Sequence, residues 1–137
     1  MQPRARQSCG AWFFLGSWWV RAIVSARGVR MDFEISAGQV KALQKRGEAF
    51  TLLDVREPWE YETARIDGAK LIPMGDVPAR AHQELDPEQH IVVVCHHGVR
   101  SLTVTNWLRQ QGFEKAQSMR GGIDGWARTV DPKVPLY

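Results

Sequence analysis

Short apolar runs alternate along this chain with longer segments in which apolar positions recur every three or four residues. Short apolar runs are typical of buried strands, and segments with an apolar residue every three or four positions are typical of amphipathic helices. The predicted strands cover residues 33–35, 50–55, 69–72, 90–95 and 113–119. The predicted helices cover residues 37–46, 58–63, 77–85 and 100–111, and a short helix follows Gly121-Gly122. Strands that alternate with helices in this way predict an α/β fold with a mainly parallel central sheet.

Length and composition predict a single folded domain. The chain has 137 residues, of which 44% are hydrophobic and 24% charged, as in ordinary globular proteins. The alternating pattern defines a domain over residues 32–129. Residues 130–137 contain Pro132 and Pro135 and are expected to form a tail that is either extended over the surface or loose. Residues 1–31 differ from the rest in composition and are treated as a leader.

The leader contains one uncharged apolar block, residues 11–20. Ten residues are too few to cross a bilayer as a helix, so no stable membrane insertion of the folded domain is expected. A basic start, the apolar block and Val24-Ser25-Ala26 are compatible with a secretory signal, although Arg21 interrupts it. The alternatives are a transit peptide or a natural start at Met31. We expect a cytoplasmic protein, or a periplasmic or exported one if residues 1–26 are a signal peptide.

The charge distribution argues against nucleic acid as a partner. The formal net charge is +3, but five of the 18 basic residues lie in residues 1–30, where there is no acidic residue. From Met31 onward 13 basic residues therefore face 15 acidic ones. A nucleic-acid-binding domain normally carries a basic stripe on its folded part.

Cys95 is the residue that points to chemistry, because it follows the apolar run Ile91-Val92-Val93-Val94 directly. Such a run without alternation predicts a strand buried on both faces, in the centre of a parallel sheet. Ligands of open parallel sheets bind beyond the carboxyl ends of the strands, where loops meet helix N-termini. Cys95 is predicted to lie at such an end.

The loop after Cys95 has the composition of an anion-binding cradle. Its sequence is Cys95-His96-His97-Gly98-Val99-Arg100-Ser101. Backbone N–H groups from His96 to Ser101 can converge on an anion, and the helix dipole adds to this effect. Gly98 supplies freedom for a tight turn, Arg100 a permanent cation, and Ser101 a cap or a donor. These features favour the thiolate, which is the nucleophilic form of cysteine.

Two other interpretations of this loop are weaker. A cysteine after a strand is usually a structural thiol, but the spacing of Gly98 and Arg100 favours a reactive one. His96 and His97 are candidate metal ligands. We predict no metal, because adjacent histidines point in different directions and no third ligand is near them in sequence. No other cofactor is predicted.

Three further motifs accompany the Cys-x-x-x-x-Arg loop. They are Leu53-Asp54-Val55-Arg56-Glu57-Pro58-Trp59-Glu60-Tyr61, Ile66-Asp67-Gly68-Ala69-Lys70-Leu71-Ile72-Pro73 and Gly121-Gly122-Ile123-Asp124-Gly125-Trp126. The four motifs resemble those of the rhodanese family of single-domain sulfurtransferases, in the expected order over about residues 32–129, and the Cys-x-x-x-x-Arg loop is similar to the family's active-site loop. The resemblance implies a three-layer fold with helices on both faces of the sheet.

The resemblance also implies an activity and its partners. Cys95 would take sulfane sulfur from a small anion such as thiosulfate and pass it, as a persulfide, to cyanide or a thiol. An acceptor protein is a further possible partner, which would make the chain a persulfide carrier. Phosphatases and arsenate reductases also place a cysteine and an arginine around an anion, but with one more residue between them.

One position departs from the family pattern. Arg65 stands where many relatives have histidine. Asp54 and Arg65 are expected either to pair beneath the active-site loop or to be an ordinary strand-end carboxylate and a solvated arginine. Neither alternative changes the role expected of Cys95.

Overall fold

Five parallel strands form one sheet in the computed structural model of the protein, which describes residues 31–137. The strands are β1 (Glu34–Ile35), β2 (Thr51–Asp54), β3 (Lys70–Leu71), β4 (Ile91–Val94) and β5 (Ala116–Met119). They lie in the order β1-β5-β4-β2-β3, and each pair of neighbours is parallel. The prediction of an α/β fold with a mainly parallel sheet is confirmed.

The helices follow the strands as the sequence pattern predicts. They are α1 (Ala37–Lys45), α2 (Pro58–Thr63), α3 (Val77–Glu84), α4 (Val99–Gln110) and α5 (Gly122–Thr129). A single 3-10 turn, Met74–Asp76, precedes α3. Ser36 caps α1 by accepting from the N–H of Gln39, and Pro58 occupies the first turn of α2, where its missing N–H costs nothing.

The two faces of the sheet carry separate apolar cores, because successive residues of a strand point to opposite sides. On one face Leu52 and Val92 pack in a cluster that includes residues of α1 and α5. On the other face Leu53 and Val93 pack in a cluster that includes residues of α3 and α4. Residues 31–137 therefore form three layers, with β4 buried at the centre.

The structure corrects one boundary. The predicted strand over 113–119 begins only at Ala116, because Phe113 completes the end of α4 by donating its N–H to Leu108 O at 3.0 Å. Of the two alternatives for residues 130–137, the structure agrees with a tail packed over the surface, since Val134 is buried and the Tyr137 hydroxyl bonds to Arg56 and Glu60.

No helix within residues 31–137 has the length and apolar character needed to cross a membrane. The expectations for the leader fall on residues 1–30, which lie outside the described part of the chain.

Candidate active site

Cys95 lies at the carboxyl end of β4 and is 1% exposed. Its side chain faces the core formed with α3 and α4, because the alternation that turns Val93 to that face continues to Cys95. The thiol therefore sits at the floor of the loop that joins β4 to α4, at the edge of the sheet where ligands of parallel sheets bind.

The loop folds back over the sulfur. Gly98 adopts a left-handed conformation with φ of 108°, which a residue with a Cβ rarely adopts. This turn allows the Gly98 N–H to donate to Cys95 Sγ at 3.0 Å. It also brings the first turn of α4 over the thiol.

The first amides of α4 have no carbonyl of their own helix to bond to. The helical hydrogen-bond ladder begins with Leu102, whose N–H donates to Gly98 O at 3.3 Å. Val99, Arg100 and Ser101 precede this bond, so their N–H groups belong to the set that a helix leaves for external acceptors. Together with the N–H of Gly98, they give the loop an electropositive end for a bound anion.

The first two carbonyl groups of the loop accept hydrogen bonds from α5. Ile123 N–H donates to Cys95 O at 2.8 Å, and Asp124 N–H donates to His96 O at 3.1 Å. These bonds fix the carbonyls of the loop on the α5 side. The approach is so close that a Cβ on Gly122 would lie 2.4 Å from both Cys95 O and His96 O.

One serine hydroxyl contacts the sulfur, and a second serine contacts that hydroxyl. Cys95 Sγ is 3.4 Å from Ser101 Oγ, which also contacts Gly98 O at 3.1 Å and Ser118 Oγ at 2.8 Å. Both serines are fully buried. A thiol can donate to Ser101, whereas a thiolate can accept the Ser101 proton, so this hydroxyl suits both protonation states of Cys95.

Arg100 is held by a carboxylate from α2. Its two terminal nitrogens donate to Glu60 at 2.8 and 2.9 Å in a bidentate pair, and its side chain is 34% exposed. The hydrogen bond from Arg100 lowers the pKa of Glu60 to about 2, and the same bond raises the pKa of Arg100. The guanidinium is thus fixed beside the loop, with donors that do not contact Glu60 still available for an anion.

A second arginine lies behind Glu60. Arg56 is completely buried and binds the Asp54 carboxylate through Nε and Nη2, the latter at 2.6 Å. Burial lowers the pKa of Arg56, but its hydrogen bonds to Asp54 and Tyr137 outweigh that effect and raise it. Tyr137 connects the two ion pairs, because its hydroxyl accepts from Arg56 at 2.7 Å and donates to Glu60 at 3.0 Å.

The histidines form an aromatic stack above the loop. The His96 ring lies between the rings of Tyr137 and His97, with centroid distances of 4.1 and 3.9 Å. Burial is the main cause that lowers the pKa of His96, and the charge of His97 adds to it. His97 is exposed, whereas His96 is half-buried.

Of the predicted site residues, the structure gathers those of the 95–101 loop and separates Arg65 from them. Asp54 pairs with Arg56, so of the two alternatives for Asp54 and Arg65, the pair beneath the loop does not form. Arg65 is exposed, stacks over the Tyr61 ring at 5.2 Å and lines a groove of about 410 Å³ whose lining residues do not include Cys95. Asp54 ends β2 and lies two residues from Arg56 in the chain, whereas Arg65 lies beyond the end of α2.

Sequence reasoning did not single out several residues that complete the site, namely Arg56, Glu60, Ser118, Gly122 and Tyr137. Arg56 and Glu60 lie within the motif over residues 53–61, and the repeated charged residues of that motif could have indicated them as site residues. Tyr137 had no local signal, because it is 77 residues from Glu60.

The comparisons with known proteins concern the domain as a whole. The family model for the rhodanese-like domain matches residues 36–129. The chain is 34% identical over 104 residues to the thiosulfate sulfurtransferase GlpE of Actinobacillus pleuropneumoniae, which covers 76% of this chain and 94% of that protein. It is 39% identical over 93 residues to the putative sulfur carrier protein YrkF of Bacillus subtilis, which covers 68% of this chain and 50% of that protein.

A solved structure has the same architecture. The rhodanese-like domain of the Alr3790 protein of Anabaena superposes with a TM-score of 0.68 at 31% identity, covering 73% of this chain and 76% of that one. Several of the curated relatives are much longer proteins, of which this chain spans 24 to 50%.

Proposed function

The chain belongs to the rhodanese-like family of sulfurtransferases, and from this premise we propose that it moves sulfane sulfur from thiosulfate to cyanide or a thiol through a persulfide on Cys95. The observation that carries the proposal is the placement of Cys95 Sγ. It is buried at the N-terminal end of α4 and accepts the Gly98 N–H at 3.0 Å.

The reaction has two displacement steps. The Cys95 thiolate attacks the outer sulfur of thiosulfate, the sulfur–sulfur bond of the donor breaks, and sulfite leaves with the bonding electrons. Cyanide or a thiolate then attacks the terminal sulfur of the Cys95 persulfide. The product leaves as thiocyanate or a new persulfide, and the Cys95 thiolate is regenerated.

The loop assists both steps by stabilising negative charge. The N–H groups of Gly98 and of the first turn of α4 are fixed before the reaction, so they need not reorganise around the persulfide anion. Arg100, held by Glu60, adds a cation beside the entering donor. A thiolate held by N–H groups does not require a general base.

Mass spectrometry of the intact protein tests the proposal. Incubation with thiosulfate should add the mass of one sulfur atom, and cyanide should remove it. Cys95→Ser should acquire no sulfur, while Cys9→Ser, which removes the other cysteine of the chain, should load as the unchanged protein does. Loading of Cys95→Ser would overturn the assignment of Cys95.

The same preparation tests the alternative of phosphoryl or arsenyl transfer. Four residues separate Cys95 from Arg100, and we expect this short loop to seat one sulfur atom but not a phosphoryl group with its three oxygens. Aryl phosphates and arsenate should therefore not be turned over. Efficient hydrolysis of an aryl phosphate by a protein that cannot be sulfurated would favour a phosphatase.

A protein acceptor is the second candidate, favoured by the relative named as a putative sulfur carrier. If the persulfide serves a partner protein, cyanide and small thiols should discharge it slowly, and a copurifying protein should discharge it quickly. Rapid discharge by small thiols alone would favour the simple enzyme.

A further inference from the structure

Three potential metal-binding side chains meet at the outer rim of the active-site loop. They are His96 and His97 of the loop and Asp124 of α5, and each offers one ligand atom within 4.8 Å of the other two. His96 and Asp124 are half-buried, and His97 is exposed. The group is therefore accessible from solvent but anchored in the fold.

The structure differs from both expectations on which the prediction of no metal rests. Adjacent histidines were expected to point in different directions, yet their rings stack with an interplanar angle of 25°. A third ligand was missing from the nearby sequence, but the fold supplies Asp124 from 27 residues away in the chain. These residues come together because the N–H groups of Ile123 and Asp124 bind the first two carbonyls of the loop.

Two of the three side chains are already restrained. The His96 ring lies against Tyr137 at 4.1 Å with an interplanar angle of 8°, and Asp124 stands in the first turn of α5. Sites whose ligands are held before binding lose less conformational entropy on binding. A tetrahedral ion with bonds of about 2.1 Å needs donor atoms about 3.4 Å apart. The three ligand atoms lie within 4.8 Å of one another, so binding requires them to approach further and the two stacked imidazoles to tilt towards the ion.

The charges near the cluster permit an ion to bind. Asp124 accepts a hydrogen bond from Arg128 Nε at 2.9 Å. The Arg128 side chain is 62% exposed, and such an exposed pair contributes little, so Asp124 can exchange it for an ion.

We propose that His96, His97 and Asp124 bind one divalent first-row transition ion, such as Zn²⁺, Ni²⁺ or Cu²⁺, at the rim of the Cys95 loop. Two imidazole nitrogens and one carboxylate suit these ions, whereas Mg²⁺ and Ca²⁺ prefer sites made entirely of oxygen. Three protein ligands leave at least one coordination position for water or an external ligand. A bound ion would link the loop to α5 and add positive charge beside the path of an anionic sulfur donor.

The test must exclude binding to thiols, which are also good ligands for these ions. We would use the full chain carrying Cys9→Ser and Cys95→Ser, titrated calorimetrically with Zn²⁺ and with Mg²⁺. The expected result is one Zn²⁺ per chain and no measurable Mg²⁺ binding. Electron paramagnetic resonance of the same protein with one equivalent of Cu²⁺ should show coupling to two imidazole nitrogens.

Variants in this thiol-free background assign the ligands. His97→Asn and Asp124→Asn should each weaken Zn²⁺ binding at least tenfold, while His82→Asn, at an exposed histidine outside the cluster, should leave it unchanged. Zn²⁺ should also raise the Tm of the parent and of His82→Asn, and raise it much less in the two ligand variants. Absence of Zn²⁺ binding to the parent, or binding unaffected by both ligand variants, would overturn the proposal. Since no readout uses sulfur transfer, the outcome is independent of the proposed activity.

Discussion

The hydroxyl of Tyr137 lies between two charged side chains, donating to Glu60 and accepting from Arg56, while its ring covers His96. Burial raises the pKa of this tyrosine, so it remains a neutral hydrogen-bonding group. Glu60 in turn holds Arg100. Tyr137 is therefore a positioning residue, which acts on the loop through Glu60 and through the His96 ring.

Tyr137→Phe tests this role, because it removes the hydroxyl and keeps the ring. We expect the free energy of unfolding to fall by about 1.5–3 kcal/mol, the usual value of a hydrogen bond to a charged group, and the KM for thiosulfate to rise several-fold because Glu60, which holds Arg100, loses a hydrogen bond. Tyr61→Phe is the matched control, since it also removes a half-buried hydroxyl bond, to Ala69 O at 3.1 Å, away from the loop. Equal KM values in the two variants, measured by steady-state kinetics, would contradict a positioning role for Tyr137.

Residues close in sequence could be identified as site candidates, and distant ones could not. The 95–101 loop has a local signal, because a thiol, a glycine and an arginine follow a buried strand within a few residues. The partner of Arg100 depends instead on how α2 lies against the β4–α4 loop, and Glu60 is 40 residues away. The placement of Asp124 beside His96 and His97 likewise depends on the packing of α5.

At the scale of elements, the contact between α5 and the loop explains the glycine pair before that helix. Gly121 and Gly122 both have positive φ, at 80° and 60°. The conformation allows the chain to turn sharply, so that the first amides of α5 reach the loop carbonyls at 2.8 and 3.1 Å. The pattern of the sequence predicted a helix after this pair, but a pattern of apolar residues carries no information on which loop that helix contacts.

Gly122→Ala should disrupt this contact. Its Cβ would lie 2.4 Å from Cys95 O and His96 O, a separation that only backbone movement can relieve. Gly68→Ala is the control, since Gly68 also has positive φ but a Cβ there would have no atom within 4 Å. Gly68→Ala should cost about 1–2 kcal/mol from backbone strain alone.

We expect the cost of Gly122→Ala to exceed that of Gly68→Ala by at least about 2 kcal/mol, because crowding adds to strain. Urea denaturation of both variants gives this difference directly, and a Gly122→Ala chain that does not fold at all satisfies the expectation. The loop should also lose its capacity to accept sulfur from thiosulfate. Equal stabilities of the two variants would show that the close approach of α5 is not required.

At the scale of the whole molecule, the topology decides which of these contacts exist. The alternation of strands and helices is sufficient to predict a parallel sheet, and the family resemblance implied helices on both faces. The strand order β1-β5-β4-β2-β3 brings β4 to the centre, which agrees with the unbroken apolar run that predicted its burial. The return of residues 130–137 to the site could not be predicted, because it depends on contacts such as that between Arg56 and Tyr137, 81 residues apart.

The same long-range network makes the stability of the molecule depend on pH in a defined window. The pKa of Glu60 is about 2 in the folded protein, lowered first by its hydrogen bond to Arg100, whereas an unfolded glutamate titrates near about 4.3. The unfolded state therefore binds a proton more readily, so the contribution of Glu60 is fully present above about pH 5 and is lost as the pH falls towards 2.

Glu60→Gln should remove this dependence. Because Glu60 is buried but Arg100 is about one-third exposed, we expect the variant to be less stable than the unchanged protein by about 2 kcal/mol at neutral pH. Between pH 5 and pH 2 the difference in the free energy of unfolding should shrink steadily. Protonation of Glu60 removes from the unchanged protein the ion pair with Arg100 that the variant lacks. Urea denaturation at a series of pH values measures it. Glu62→Gln, at an exposed carboxylate of the same helix, should show no such convergence. A gap between Glu60→Gln and the unchanged protein that stayed constant across this range would mean that the Glu60–Arg100 pair is not what stabilises the fold above pH 5.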